Sequence, residues 1–151
     1  MKIYNTYSRQ LEDFQPIEPG KVKMYVCGPT VYNYIHVGNA RSVVAFDLVR
    51  KYLEFRGFEV QYISNFTDVD DKIINGAKAA NMTTTDFSER YIAAFYEDTD
   101  ALNVKRASQN PKATEFIEAM IEFIQELVDK EFAYVSQGDV YFRVSKSKDY
   151  A

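Results

Sequence analysis

The sequence predicts an α/β protein built around a parallel strand pair. Three observations carry that expectation. Lys21–Cys27 (KVKMYVC) alternates and is rich in β-formers. Ala40–Arg56 sets Val44, Leu48, Val49, Tyr52 and Leu53 at helical spacing. Glu59–Asn65 (EVQYISN) is again β-rich. Two strands joined through a helix form a βαβ unit, which packs as parallel strands with a right-handed crossover.

In chain order, Lys2–Thr6 reads as a short strand. Pro16-Ile17-Glu18-Pro19-Gly20 is a turn, because two prolines and a glycine punctuate it. Gly28-Pro29 ends the next strand, and Thr30–Asn39 is a loop into the helix. Gly57 suits the helix C′ position. After Asp68-Val69-Asp70-Asp71-Lys72 a helical stretch runs to about Asn81. Thr83-Thr84-Thr85 offers N-caps for a helix over Asp86–Leu102. Asn103–Asn110 is a linker. Asn110-Pro111 predicts a helix start, with Asn as N-cap and Pro at the first helical position. That helix runs to Lys130 with one apolar stripe: Phe116, Ile117, Met120, Ile121, Phe123, Ile124, Leu127 and Val128. Phe132–Ser136 and Asp139–Val144 alternate around Gln137-Gly138, which predicts a β-hairpin.

Composition bounds the function classes. The 151 residues are 46% hydrophobic and 26% charged, which is ordinary for a globular protein and argues against a disordered or fibrous chain. Aromatic residues make up 15% without any tryptophan, so Tyr and Phe supply the core bulk. A single cysteine excludes an intrachain disulfide and fits a reducing compartment. With one histidine as well, a Cys/His metal cage is incomplete within this chain. Met1–Arg9 lacks the apolar core of a signal peptide, and no apolar run approaches the roughly 20 residues of a membrane span. The expected location is cytoplasmic, with no membrane partner. Net charge is −4, distributed as +2 over residues 1–60, −5 over 61–104 and −1 over 105–151. A nucleic-acid partner would therefore engage local groups rather than a global basic field.

The most informative segment is Pro29–Asn39 (PTVYNYIHVGN), which joins a strand end to a helix start. In an open α/β sheet that is the carboxyl edge, where ligands bind. A helix N-terminus there offers free N–H groups and a positive dipole end to phosphate. His36 and Asn39 can donate hydrogen bonds to phosphate oxygens, and Gly38 permits close backbone approach. The bland alternative for His36 is a capping residue in a tight turn. Cys27, at the end of the same strand, is either a small buried hydrophobe or a metal ligand short of partners. Thr67 ends the second strand as a possible substrate contact. Asp68, Asp70 and Asp71 lack the spacing and distal Glu of a calcium loop. Asp70 and Asp71 are better read as acidic residues at a helix N-terminus.

Together these residues resemble a known family. Met24-Tyr25-Val26-Cys27-Gly28-Pro29-Thr30-Val31-Tyr32, then His36-Val37-Gly38-Asn39-Ala40-Arg41, then Asn65–Ile74 (NFTDVDDKII) and Glu131–Phe142 (EFAYVSQGDVYF) are similar, in order, to blocks of the cysteinyl-tRNA synthetases. The resemblance spans essentially the whole chain. It implies a class I aminoacyl-tRNA synthetase that activates L-cysteine with Mg-ATP and esterifies tRNA(Cys). The implied architecture is the first half of a Rossmann-type catalytic domain over residues 1–104. The start of the connective insertion follows over 105–151. The resemblance also implies roles: Cys27 as the first zinc ligand, and Gly28 and Thr67 as contacts to the substrate cysteine. Pro29, Thr30, His36, Gly38 and Asn39 form the "HIGH" signature around ATP, with His36 and Asn39 catalytic. Asn39 stands where a second histidine is common and remains a donor. Lys72-Ile73-Ile74-Asn75 matches a KIIK element but departs from it at Asn75.

Arg143-Val144-Ser145-Lys146-Ser147 resembles the KMSKS signature, but the position is wrong for it. It is expected to be a hairpin strand with Lys146 and Lys148 facing solvent. The family's remaining zinc ligands, its KMSKS loop and its anticodon-binding region follow later than residue 151. The chain is therefore expected to be an N-terminal segment with little activity by itself and a tendency to self-associate, from a monomeric whole enzyme. The rivals are a paralogous ligase joining cysteine to an amino sugar, a small nucleotidyltransferase complete at this length, and a nucleotide-binding segment without activity.

Overall fold

In the computed structural model, residues 1–148 and Tyr150 are described. The chain divides into two compact units, Met1–Pro111 and Lys112–Ala151.

The first unit opens with a hairpin, β1 (Lys2–Asn5) against β2 (Gln10–Asp13), turned through Arg9 at φ 57°. The sequence reading found β1 but not β2, whose residues QLED carry little β signal. The expected βαβ unit follows as β3 (Lys21–Val26), α1 (Val37–Phe55) and β4 (Glu59–Ser64), with the strands parallel in a register that sets Val26 opposite Ser64. Arg56 caps α1, and Gly57 beyond it takes φ 88° while its N–H donates to the Glu54 carbonyl at 2.9 Å, as its C′ reading requires.

Helix α1 starts three residues earlier than the apolar spacing indicates, at Val37, so Gly38 and Asn39 belong to its first turn. Its buried face also differs from the expected stripe. Asp47, Arg50 and Leu53 are buried, whereas Val44, Leu48, Val49 and Tyr52 are exposed. The charges are tolerable inside because they are partnered. Asp47 Oδ1 accepts from the Lys105 N–H (3.0 Å), and its Oδ2 pairs with Lys51 Nζ (2.7 Å). Arg50 donates to the carbonyls of Arg106 (2.7 Å) and Lys105 (3.3 Å) and to Glu54 Oε1 (3.1 Å).

These bonds tie α1 to the 103–111 segment, which is more than a linker. Ser108 N–H donates to the Tyr62 carbonyl (2.7 Å), Ser64 N–H to Gln109 (3.2 Å) and Phe66 N–H to Pro111 (2.8 Å). Ile63 and Gln109 form a parallel bridge, so the segment lines the edge of β4 away from β3. This contact also overturns the expected helix start at Asn110-Pro111. The Asn110 side chain donates to the Ser64 carbonyl (2.7 Å) and accepts from Tyr96 Oη (3.0 Å), so it is engaged at the sheet edge rather than capping a helix.

Helix α2 (Asp71–Ala79) is capped by Asp70, whose Oδ1 accepts from Lys72 N–H (2.8 Å), with Asp71 in its first turn. The acidic-cap reading of this cluster therefore holds. Thr83 caps α3 (Thr84–Ala101) by accepting from Asp86 N–H (3.0 Å). The core sits where these helices meet the strand ends: Val31, Phe66, Ile73, Ala77, Phe87 and Ile92 are buried together, with Phe95 and Tyr96 edge-on to Phe66. Burial of each large side chain contributes about 1.5–3 kcal/mol.

In the second unit a 3₁₀ turn (Ala113–Phe116) leads into α4 (Ile117–Asp129). Of the expected apolar stripe, Leu127 and Val128 are half-buried and the other six residues are exposed. The hairpin is present as β5 (Ala133–Ser136) and β6 (Asp139–Phe142), turned through Gln137 and Gly138 at φ 53° and 91°. The Arg143–Ser147 segment is a short 3₁₀ turn rather than a strand, and Lys146 pairs with Glu131. Among the described residues no helix is long and apolar enough to cross a membrane.

Candidate functional site

The parallel register brings the ends of β3 and β4 side by side, and the two segments that follow are laced together. Val31 N–H donates to the Thr67 carbonyl and Thr67 N–H to the Pro29 carbonyl, both at 3.1 Å. Gly28 crosses Asn65 so closely that a Cβ on it would lie 1.7 Å from the Asn65 carbonyl oxygen. Only glycine fits there, so Gly28 has a packing role besides any ligand contact. Gly28 N–H donates to Asn65 Oδ1 at 2.9 Å.

His36 is the N-cap of α1, as the bland alternative had it. Its Nδ1 accepts from Gly38 N–H at 3.1 Å, and its carbonyl accepts from Ala40 N–H at 3.0 Å. The cap does not exclude a chemical role. A neutral imidazole that accepts at Nδ1 carries its proton on Nε2, so the exposed ring presents a donor beside the helix N-terminus. Gly38 is the opposite of Gly28: a Cβ there would meet only the His36 ring, at 3.4 Å. Its φ is not in the left-handed region, and a mid-turn glycine lowers helix stability by up to about 1 kcal/mol. The fold therefore has no need of glycine at this position.

The expected residues fall on two neighbouring recesses. Cys27, Gly28, Pro29, Gly38 and Asn39 line a cavity of about 330 Å³. Pro29, Thr30, His36 and Asn39 line a second, of about 350 Å³. Pro29, Asn39 and Phe95 are the shared wall, with Cys27 on the first recess and His36 on the second. Thr67 lines neither; it is held behind the wall by its backbone bonds to Pro29 and Val31.

Cys27 is exposed, and its Sγ makes only a long contact to the Gly28 carbonyl at 3.8 Å, so it is not the buried hydrophobe that a lone cysteine usually is. As a metal ligand it stands alone. Among the described residues no three His, Cys, Asp or Glu side chains are grouped to hold an ion, and one donor falls short of the three or four a zinc site uses.

Sequence reasoning missed the polar floor of the first cavity, to which Asp47 and Arg50 contribute with Lys105 and Arg106. A charged pair three residues apart within an apolar helical run was the available signal. Hydrogen bonds from Lys105 (2.8 and 3.0 Å), then from Arg50, hold the Glu54 carboxyl below the usual carboxylate range, partly opposed by desolvation. Burial pushes the Tyr62 phenol up, with Arg50 stacked 5.3 Å from its ring centre. Asn65 was also missed, although it opens a segment the sequence marked. Lys72 lies 4.9 Å over the Tyr32 ring, next to the second recess.

Comparison with known proteins agrees with this geometry. The chain is 87% identical over its whole length to the "Cysteine--tRNA ligase" of Lactococcus lactis subsp. cremoris strain MG1363, of which it covers 34%. It is 62% identical over its whole length to the protein of that name in Streptococcus agalactiae serotype Ia, again covering 34%. The chain thus spans about a third of the length of these relatives. Among solved structures, Mycobacterium tuberculosis methionyl-tRNA synthetase in complex with methionyl-adenylate superposes with a TM-score of 0.69 at 19% identity, over 76% of this chain and 23% of that one. The LeuRS of Agrobacterium radiobacter K84, in a ternary complex with tRNA and LeuAMS, gives 0.64 at 20% identity, over 81% and 16%. These likenesses establish the fold as that of class I synthetase catalytic domains. A family model described as tRNA synthetases class I (C) catalytic domain matches residues 13–151, and the chain belongs to that family.

Proposed function

We propose that the whole protein carrying this chain activates L-cysteine with Mg-ATP and transfers it to tRNA(Cys). The carrying observation is the placement of the Cys27 thiol and the N-terminus of α1 on one cavity at the carboxyl end of β3 and β4. A soft sulfur donor and an anion-favouring helix end are what a site for a thiol amino acid and a nucleotide triphosphate needs.

In the activation step a carboxylate oxygen of cysteine attacks the α-phosphorus of ATP. A P–O bond forms, the bond to the β-phosphate bridging oxygen breaks, and pyrophosphate leaves. The residues of this chain act by position and charge. His36 donates from Nε2 and Asn39 from its carboxamide to phosphate oxygens, the helix dipole favours the same negative charge, and Gly38 leaves room for the nucleotide. Pro29 and Thr30 form the recess wall beside it. Gly28 lines the amino-acid side, and Thr67 braces it from behind through its backbone bonds to Pro29 and Val31. In the transfer step a ribose hydroxyl at the tRNA 3′ end attacks the adenylate carbonyl and AMP leaves.

Cys27 would supply one sulfur to a zinc, with the remaining ligands coming from outside these residues. Bound there, zinc would supply preference for a thiolate over a hydroxyl. Residues 1–111 belong to the nucleotide-binding half and 112–151 to the insertion, a later boundary than the sequence indicates, because residues 105–111 are bonded to α1 and β4. We place the protein in the cytoplasm, where tRNA and ATP are available.

The test is cysteine-dependent exchange of pyrophosphate into ATP by the whole protein, with His36→Ala alongside. Loss of a transition-state donor is expected to lower exchange about 100-fold or more with the fold intact. Exchange dependent on another amino acid, or unaffected by His36→Ala, would overturn the reading. A product amide on an amino sugar instead of an ester on tRNA would select the paralogous ligase.

A further inference from the structure

We propose that Asn65 is a positioning residue that aligns the amino-acid side of the site. This assignment rests on the cysteine-activation reading above. Asn65 stands one residue past β4, next to the crossing of the two chain segments, and is half-buried. Its carboxamide is bonded to Gly28, which lines the amino-acid side, and to Thr67, which braces that side from behind. Oδ1 accepts from Gly28 N–H at 2.9 Å, and Nδ2 faces Thr67 Oγ1 at 3.5 Å. Oδ1 also accepts from Tyr25 Oη at 2.9 Å. Two donors converge on one oxygen, so the carboxamide has a single orientation that satisfies them, with its nitrogen toward Thr67.

The consequence reaches Cys27 through the covalent chain. The N–H that Asn65 holds belongs to the peptide plane joining Cys27 to Gly28, so the carboxamide sets that plane and with it the direction in which the Cys27 side chain leaves the strand. The Cys27 thiol has only a long contact to the Gly28 carbonyl, at 3.8 Å. Its aim depends on the backbone beneath it. Thr67, by contrast, is also fixed through backbone bonds to Pro29 and Val31. Loss of the Asn65 carboxamide should therefore slacken the Cys27–Gly28 plane, which shapes the cysteine side. The helix N-terminus that faces ATP is capped separately by His36.

The roles separate in kinetics. A residue needed only for folding would lower activity and thermal stability without distinguishing the two substrates. Asn65 acting as a positioner predicts a split between them. The experiment is pyrophosphate exchange by the whole protein, titrated separately in cysteine and ATP, for Asn65→Leu, Asn65→Asp and Tyr25→Phe. Asn65→Leu keeps the size and removes all three bonds. It is expected to raise the KM for cysteine about tenfold or more while the KM for ATP stays within about twofold. Asn65→Asp keeps the acceptor toward Gly28, and the Thr67 hydroxyl can rotate to donate, so it should recover most of the loss. Tyr25→Phe removes only the outer donor and should leave both KM values near those of the parent.

Equal rises for cysteine and ATP, no rise for cysteine, or an aspartate as poor as leucine would overturn the assignment while leaving the function standing. A parent protein without cysteine-dependent exchange would overturn both. Should Asn65→Leu fail to fold, Asn65→Ser replaces it. Its short hydroxyl cannot span the gap from Gly28 to Thr67, so the same split is required of it.

Discussion

Gly28 and Gly38 look alike in the sequence, each in the stretch around the strand-to-helix loop, yet their surroundings give them opposite sensitivities. A methyl group at Gly28 would enter the Asn65 backbone carbonyl, which cannot move without unpairing the strand ends. Gly28→Ala is expected to lower the stability of the folded protein by about 3 kcal/mol or more, read as a fall in the denaturation midpoint. At Gly38 the same methyl meets only an imidazole edge at 3.4 Å. Gly38→Ala should leave the midpoint unchanged or slightly raised, with weaker ATP binding measured by titration calorimetry on the whole protein. If both variants unfold alike, Gly38 is structural after all. His36 shows the same duality within one side chain: Nδ1 serves the helix cap, and Nε2 is left to the solvent side.

At the scale of elements, α1 is fastened to the 103–111 segment by buried charges rather than by apolar contact. Arg50 has 4% of its surface exposed and Asp47 6%, and each reaches main-chain groups of Lys105 or Arg106 that have no helix or sheet partner. Removing one member strands the others, so Arg50→Ala is expected to cost about 3 kcal/mol, checked by urea denaturation. Glu54, at the rim of this network, has a lowered folded-state pKa, mainly through the hydrogen bond from Lys105. A lowered carboxylate pKa stabilises the fold above the unfolded value and loses that contribution as the pH falls toward the folded one. Compared with Glu54→Gln, the parent should therefore be more stable at neutral pH, with the gap closing below the ordinary carboxylate range near pH 4.5. A gap that persisted there would show that the pair contributes through packing alone.

At the scale of the whole molecule, the exposed apolar residues dominate. Val44, Leu48 and Phe55 on α1 face outward, as do Ile117, Ile121 and Phe123 on α4, and among the described residues no strand pairs with the β3 edge away from β4. Apolar residues exposed along a helix and an unpaired sheet edge mark contact sites on each unit taken by itself. The 151-residue polypeptide produced alone is expected to self-associate, with the sedimentation coefficient rising with concentration. A monomer at all concentrations would show that these faces are compatible with water.

The α/β class, the βαβ unit, three of the helix or turn signals (Gly57, Thr83 and Gln137-Gly138) and the residues around the strand-to-helix loop were legible in the chain, because each depends on local periodicity or a local backbone preference. Its family resemblance agreed with the comparisons. Tertiary structure alone decided which face of α1 is buried, that the 103–111 stretch pairs with β4, that Asn110 serves the sheet edge instead of a helix, and that Asn65 stands between Gly28 and Thr67. Those outcomes depend on groups as far as 58 residues apart in the chain meeting in space. No local pattern encodes such meetings, because a side chain's preferred partner is set by what packing brings within hydrogen-bond reach.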